Sequence, residues 1–452
     1  MKRVTSKDKT SAASGKAPQV VPAKVLGRAG QPGANDRINH AIIGVGGMGR
    51  GHLRYIFDDP HAHLSAICDV KKSAIRLAKD FAAELAAKSG REAEAKELHV
   101  YRDFREMIDS EHIDVVHVVT PPHWHALQNV YALDAGCDVW AEKPMTRTID
   151  EGRMIADAVR RNGRVFRLNT WFRLYGQFYG LGTTVAPLKK LVQSGLLGWP
   201  LTVRVSAHTG FAWKASMWTG QTGLPPEPVP PDIDYDLWLG PAPYKPYTTH
   251  RTSQSFRGYW DYDGGGLADM GQHYLDPVQY ILDKDNTSPV KIEATAPWPQ
   301  HPDVVGLWGR VQMEYADGCK IILESCEWGD EETKGKPFIE GPLGKVYPNF
   351  RTEPECLAQL VAELPEPPPQ VSDFNVSVRT RRPFGLNELN GNRSNILVHL
   401  ANCAIRTGRV LHFDPVKLRF VGDEGANRLV KQPARAPWSQ LYMDNPEEGV
   451  RQ

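Results

Sequence analysis

The stretch Ile38-Asn39-His40-Ala41-Ile42-Ile43, followed without a break by Gly44-Val45-Gly46-Gly47-Met48-Gly49, carries the reading of the fold. Six mostly apolar residues are too few for a helix and read as a strand. The glycines end it, and the segment from Met48 to Phe57 reads as a helix that stops near Pro60. Leu64–Asp69 is a second strand closing on an acid, and the Ala/Leu/Lys-rich residues 72–96 are helical. Val115–Thr120 is a strand that runs into Pro121-Pro122 and a helix through Leu133. Asp138–Ala141 is a strand, 149–161 a helix, and Val165–Leu168 closes the series. Strands alternating with helices predict a doubly wound parallel sheet.

The glycine turn follows a strand, opens a helix and lies about 20 residues before Asp69, which is the context of a dinucleotide-binding turn. Gly44 would permit the tight turn, Gly46 would let a pyrophosphate approach the backbone, and Gly49 would let the helix pack on the sheet. Gly47 and Met48 complete the turn, and the helix N-terminus offers free N–H groups to phosphates. Asp69 would accept hydrogen bonds from ribose hydroxyls, which favours NAD over NADP. Lys71 and Lys72 keep NADP open, because either could meet a 2′-phosphate. An ordinary turn with no ligand is the competing reading.

The 452 residues are enough for two domains. Lys+Arg number 54 against 53 Asp+Glu, so there is no overall basic field for nucleic acid. No apolar run approaches membrane-spanning length, so no membrane span is expected. Forty glycines and 35 prolines exceed average usage and read as long ordered loops. The six cysteines form no C-x-x-C pair and no metal-like grouping, so free thiols and no metal are expected. The chain divides into a basic arm over residues 1–37, a first domain over 38–168, a second over 169–410, and an extension over 411–452. The arm holds Met1-Lys2-Arg3 but no apolar signal core after it, so a cytoplasmic protein is expected, with the periplasm as the alternative.

Two further segments narrow the reading: Thr120-Pro121-Pro122-His123-Trp124-His125 with Ala141-Glu142-Lys143-Pro144, and Gly264-Gly265-Gly266-Leu267-Ala268-Asp269-Met270-Gly271-Gln272-His273 running on to Asp276. Together they resemble the glucose–fructose oxidoreductase/inositol dehydrogenase/rhizopine-catabolism (Gfo/Idh/MocA) family, over about residues 38–440. The resemblance implies a Rossmann domain and a C-terminal α/β domain with an open, mostly antiparallel sheet. It implies nicotinamide-dependent chemistry at a carbon of a sugar, glycoside or cyclitol, and homodimers or homotetramers packed through the open sheet. Trp238–Pro243, Arg257–Gly264 and Arg435–Trp438 resemble a bacterial branch whose members often carry export signals.

Removing a hydride from a carbinol carbon needs a base for the hydroxyl proton and a cation to favour the alkoxide. Lys143, just past a strand end, is the candidate cation, although a lysine there could equally be solvated. His273 lies on one helical face with Asp269 and Asp276, either of which could hold the imidazole in one tautomer. The resemblance places base and partner at His273 and Asp269. Thr120, Pro121, His125 and Glu142 are expected beside the cofactor. Carbohydrate sites pair aromatic faces with polar groups, and residues 169–262 are rich in both. Arg173, Trp213, Arg257 and Trp260, with Asp276, are the expected substrate contacts. Stretches 201–208, 291–296, 309–316 and 319–326 alternate like strands, and a helix is expected from about Asn392 to Thr407. A redox-neutral glycosidase or lyase, with NAD retained and a hydroxyl oxidised only transiently, is the alternative function.

Overall fold

The computed structural model describes residues 32–33 and 36–439. Most of the expected basic arm therefore lies outside the described residues, as do residues 440–452. The first sheet contains β1 (Ile38–Ile43), β2 (Ala62–Cys68), β3 (His99–Tyr101), β4 (Val115–Val118), β5 (Asp138–Glu142) and β6 (Phe166–Asn169). All six are parallel, in the order β3-β2-β1-β4-β5-β6. Both faces are covered, which is why the central strands are apolar on both sides. One core packs Ile42, Leu64 and Ile67 with Leu53 and Ala78, and the other packs Ala41, Ile43 and Val118 with Leu127 and Ile155. The helical stretch 72–96 is two helices, Lys72–Ser89 and Glu92–Lys96, because Gly90 takes a left-handed C-cap at φ 68°. The three-residue β3 and the helix Phe104–Ser110 were not expected from sequence.

The second sheet contains β7 (Thr202–Ser206), β8 (Lys291–Thr295), β9 (Arg310–Glu314), β10 (Lys320–Glu324), β11 (Ile339–Glu340), β12 (Lys345–Val346), β13 (Thr352–Glu353), β14 (Leu411–Asp414) and β15 (Arg419–Phe420). Its order is β13-β12-β11-β7-β10-β9-β8-β14-β15, antiparallel except for β7 beside β10. Residues 411–420, expected in a terminal extension, thus supply its last two strands. In β9, Val311 and Met313 are buried while Arg310, Gln312 and Glu314 are not, the alternation of a sheet with one open face. The helices Gly265–Ile281 and Glu388–Thr407 lie on the inner face. Between β13 and the helix Glu388–Thr407 the chain returns to the first sheet, where Phe374 packs edge-on against Trp140.

The result is the expected α/β architecture: a Rossmann sheet joined to a mostly antiparallel open sheet. No helix among the described residues is long and apolar enough to cross a membrane. All six cysteines are free.

Candidate active site

The parallel order reverses direction between β1 and β4, and open α/β sheets bind ligands past the strand ends at such a point. A cleft of about 750 Å³ lies there. Gly44 has φ +87°, and a Cβ on it would come within 2.8 Å of the Val119 carbonyl. A Cβ on Gly49 would sit 2.0 Å from the Gly44 oxygen, so only glycine lets the helix start this close to the strand. Gly46 and Gly47 face open space and line the cleft with Met48. The helix Gly47–Asp58 has no acid in its first turn, which leaves its N-terminus free for an anion.

Asp69 lies at the same end. Its Oδ2 accepts the Val45 N–H at 2.9 Å and its Oδ1 the Lys71 N–H at 2.8 Å. Burial pushes this carboxyl up, and the two amides oppose it. The Lys71 ammonium, in the cleft lining, donates to the Thr252 carbonyl at 2.7 Å. Open amides, an unopposed helix N-terminus and an oriented carboxylate fit a dinucleotide.

The opposite wall comes from the chain beyond the first sheet: Trp218, Trp238, Thr252, Phe256 and Arg257. Ser73 and Arg102 fasten that wall, bonding Asp232 at 2.5 Å and Asp234 at 2.7 Å. Thr120 and Pro121 line the floor, where Thr120 Oγ1 donates to Gln128 at 2.6 Å. His125 does not line the cleft. Its buried ring lies between the Pro144 and Thr120 carbonyls, 2.7 Å from each, and so ties together the loops after β4 and β5.

At the far end, Lys143 Nζ donates to the Asp269 carbonyl at 2.8 Å and to Asp269 Oδ1 at 3.0 Å. The same Oδ1 accepts Arg257 Nε at 2.8 Å, and Oδ2 accepts Trp218 Nε1 at 3.1 Å. Burial would raise the Asp269 carboxyl, but Lys143 and Arg257 win and hold it well below the ordinary range. Arg257 lies over the Trp218 ring. Asp263, not singled out in the sequence, also lines the cleft; burial pushes its carboxyl up to about 7, Arg257 opposes this, and Asp269 adds to it.

His273 departs from expectation: it is buried and is not among the residues that line the cleft. Neither Asp269 nor Asp276 orients its ring, and both ring nitrogens lack a hydrogen-bond partner among the described residues. The imidazole stacks on Trp171, centroids 3.7 Å apart and planes 16° from parallel. Burial, with Lys143 adding to it, holds the ring far below the ordinary imidazole range, so it is uncharged.

Four expected substrate contacts lie elsewhere. Trp213 is fully buried in the core of the second sheet and donates to the Val205 carbonyl at 3.1 Å. Trp260 is buried, donates to the His301 carbonyl at 3.1 Å, and borders a separate small cavity beside Arg147 and His399. Arg173 and Asp276 are sealed together with no side-chain exposure, and Arg173 also grips Asp285 at 2.6 Å. These residues fasten the fold; only Arg257 of the expected set reaches the cleft. The residues missed are Asp263, Trp218 as a partner of Asp269, and the histidines behind Glu142. A histidine inside an apolar strand, as in β1 and β4, was the available signal.

Several known proteins resemble this chain. Over 243 residues it is 31% identical to the D-glucoside 3-dehydrogenase of Escherichia coli, covering 54% of this chain and 53% of that one. Over 215 residues it is 28% identical to the inositol 2-dehydrogenase of Salmonella typhimurium, covering 47% and 58%. The chain thus matches only about half the length of these relatives. The solved WlbA dehydrogenase from Bordetella pertussis, in complex with NADH and UDP-GlcNAcA, shares the fold with TM-score 0.53 at 17% identity, over 84% of this chain and 99% of that one. Residues 38–170 match the oxidoreductase family's NAD-binding Rossmann fold and residues 181–440 its C-terminal alpha/beta domain, so the chain belongs to the Gfo/Idh/MocA oxidoreductase family.

Proposed function

We propose that this chain is a nicotinamide-dependent dehydrogenase that oxidises a secondary alcohol of a sugar, glycoside or cyclitol, with NAD preferred over NADP. One observation carries the reading: a single cleft holds the glycine turn and Asp69 at one end and the Lys143–Asp269 pair at the other. The dehydrogenase relatives supply the substrate class. The redox-neutral alternative is not favoured: these two dehydrogenase relatives match about half of this chain, whereas the glycosyl hydrolase family 109 relatives match only about a quarter of it.

Held by the glycine turn and Asp69, NAD would supply the acceptor for the hydride of the carbinol carbon. Lys143, its ammonium fixed by Asp269, stabilises negative charge on the hydroxyl oxygen. His273, uncharged, with both ring nitrogens unclaimed and one helical turn from Asp269, is the base we assign to the hydroxyl proton. Arg257 and Trp218 offer a guanidinium to hydroxyls and a ring to the C–H face of the substrate. Asp69 disfavours a 2′-phosphate by like-charge repulsion, and Lys71 is already committed to Thr252. The open face of the second sheet is the surface through which we expect a dimer or tetramer to form.

Mass spectrometry of the denatured protein should find retained NAD(H), and sugars, aryl glycosides and cyclitols are then screened by NADH absorbance. On a confirmed substrate, His273→Ala should lower kcat by roughly 10²–10⁴ with cofactor affinity nearly intact. Unchanged turnover would remove His273 from the mechanism. Absence of dinucleotide binding would overturn the whole reading.

A further inference from the structure

Glu142, the last residue of β5, is fastened from behind by a row of imidazoles. His52 Nε2 lies 2.9 Å from Glu142 Oε1. His52 Nδ1 lies 2.8 Å from His117 Nδ1, and His117 Nε2 lies 2.8 Å from His40 Nδ1. All four side chains are buried. Asn169 donates to the same Oε1 at 2.6 Å, and the Lys143 N–H to Oε2 at 3.3 Å.

Donor counting fixes the protons once Glu142 is ionised, since a neutral imidazole has one N–H and one bare nitrogen. His52 donates from Nε2 to Glu142, His117 from Nδ1 to His52, and His40 from Nδ1 to His117. The chain then ends on a bare His40 Nε2, and that nitrogen has no partner among the described residues. The reversed chain, which needs either a protonated Glu142 or a doubly protonated His52, would strand a buried His40 N–H, the costlier kind of orphan. The surrounding charges agree. Burial first, and then Arg91, His63 and Arg37 against Glu94, push His40 down to about 3. Burial, the neighbouring histidines and Arg167 hold His117 far below its ordinary range. For Glu142, burial acts upward, but His52, Asn169 and Lys143 bring the carboxyl below its ordinary value.

We propose that this histidine chain holds Glu142 as a fixed anion in the cleft wall, and that the anion makes the site bind the cationic oxidised nicotinamide more tightly than the neutral reduced one. Glu142 lines the cleft at a strand end beside the switch point, where such crevices take their ligand. A carboxylate in a low-dielectric wall acts strongly on a charge entering that wall and little on a neutral ring. His52, His117 and His40 are positioning residues in this scheme. It rests on the cofactor reading above.

The test is the ratio of the NADH to the NAD⁺ dissociation constant, measured on the full chain by tryptophan fluorescence. Glu142→Gln keeps the shape and should lower the ratio on the order of tenfold. His117→Leu removes the donor to His52 and should lower it roughly threefold at pH 7, and further at pH 6, because Glu142 then takes a proton more readily. His117→Asn, whose amide still donates, should restore the ratio. A merely structural role weakens both forms together, so an unmoved ratio in Glu142→Gln overturns the proposal. If His117→Leu does not fold, long-range ¹⁵N–¹H correlation of the wild-type histidines decides the chain. Nδ1–H tautomers at His117 and His40, with Nε2–H at His52, support it; an Nε2–H or doubly protonated His117 overturns it. A wild-type protein that binds neither form refutes the cofactor reading itself, which is a different outcome from binding with an unmoved ratio.

Discussion

Asp269 and Asp276 sit two turns apart on the same helix, and each is gripped by cations, yet they belong to different kinds of structure. Asp276 faces Arg173 where neither side chain has any exposure, and burial raises its carboxyl against the pull of the guanidinium. Asp269 lies at the cleft edge with Lys143, Arg257 and Trp218 all on its two oxygens, and the cations lower its carboxyl despite burial. A pair sealed on every side can only hold elements together. A pair that opens on a cavity and presents an ammonium to it can act on what enters.

The comparison can be broken first at the sealed pair. Arg173→Ala should cost about 3–5 kcal/mol of stability, because it strands the buried Asp276 charge; urea unfolding at neutral pH measures it. A loss below 1 kcal/mol would mean that water reaches Asp276. At the open pair, Lys143→Ala should leave the unfolding midpoint within a few degrees and lower kcat by roughly 10²–10³. A stability loss as large as that of Arg173→Ala would erase the distinction between the two sites.

Asp263 sharpens it further. In the unfolded chain this carboxyl ionises near its ordinary 3.8, and in the fold only at about 7, burial being the first cause and Asp269 adding to it. Across that window the fold keeps a proton that the unfolded chain has released, so stability falls as pH rises from about 4 to about 7. Asp263→Asn should flatten that slope in urea midpoints taken at pH 5 and pH 8. The smallest effect is expected at the far end of the cleft: Asp69→Ala should narrow the NAD preference by about tenfold, read by titrating NAD and NADP.

Much of this was legible in the sequence. The run from Ile38 to Gly49 and the acid at Asp69 declare the first sheet because each strand there is short, apolar and followed by a turn. His99–Tyr101 escaped because a three-residue strand with two exposed positions has neither an apolar run nor an alternation. At the site, Lys143 and Asp269 were found through their motifs, and the structure joins them across 126 residues. Trp213 and Trp260 were misread because an aromatic beside polar residues in sequence carries no sign of which side of a sheet it packs on. Arg173 looked like a ligand-binding guanidinium because its two acids lie more than 100 residues further along the chain. The histidines behind Glu142 were visible singly, in β1, in β4 and in the helix Gly47–Asp58, but only strand order makes them neighbours.

The Lys71–Thr252, Ser73–Asp232 and Arg102–Asp234 links have a consequence for how this molecule divides. A fragment ending at residue 170 would retain every strand of the first sheet and the whole glycine turn. It would still be half a groove, with Trp218, Trp238 and Phe256 gone and the floor open to water. The two halves are therefore not a nucleotide module with a substrate module appended. They are the two jaws of one vice, since residues from both line the same cleft.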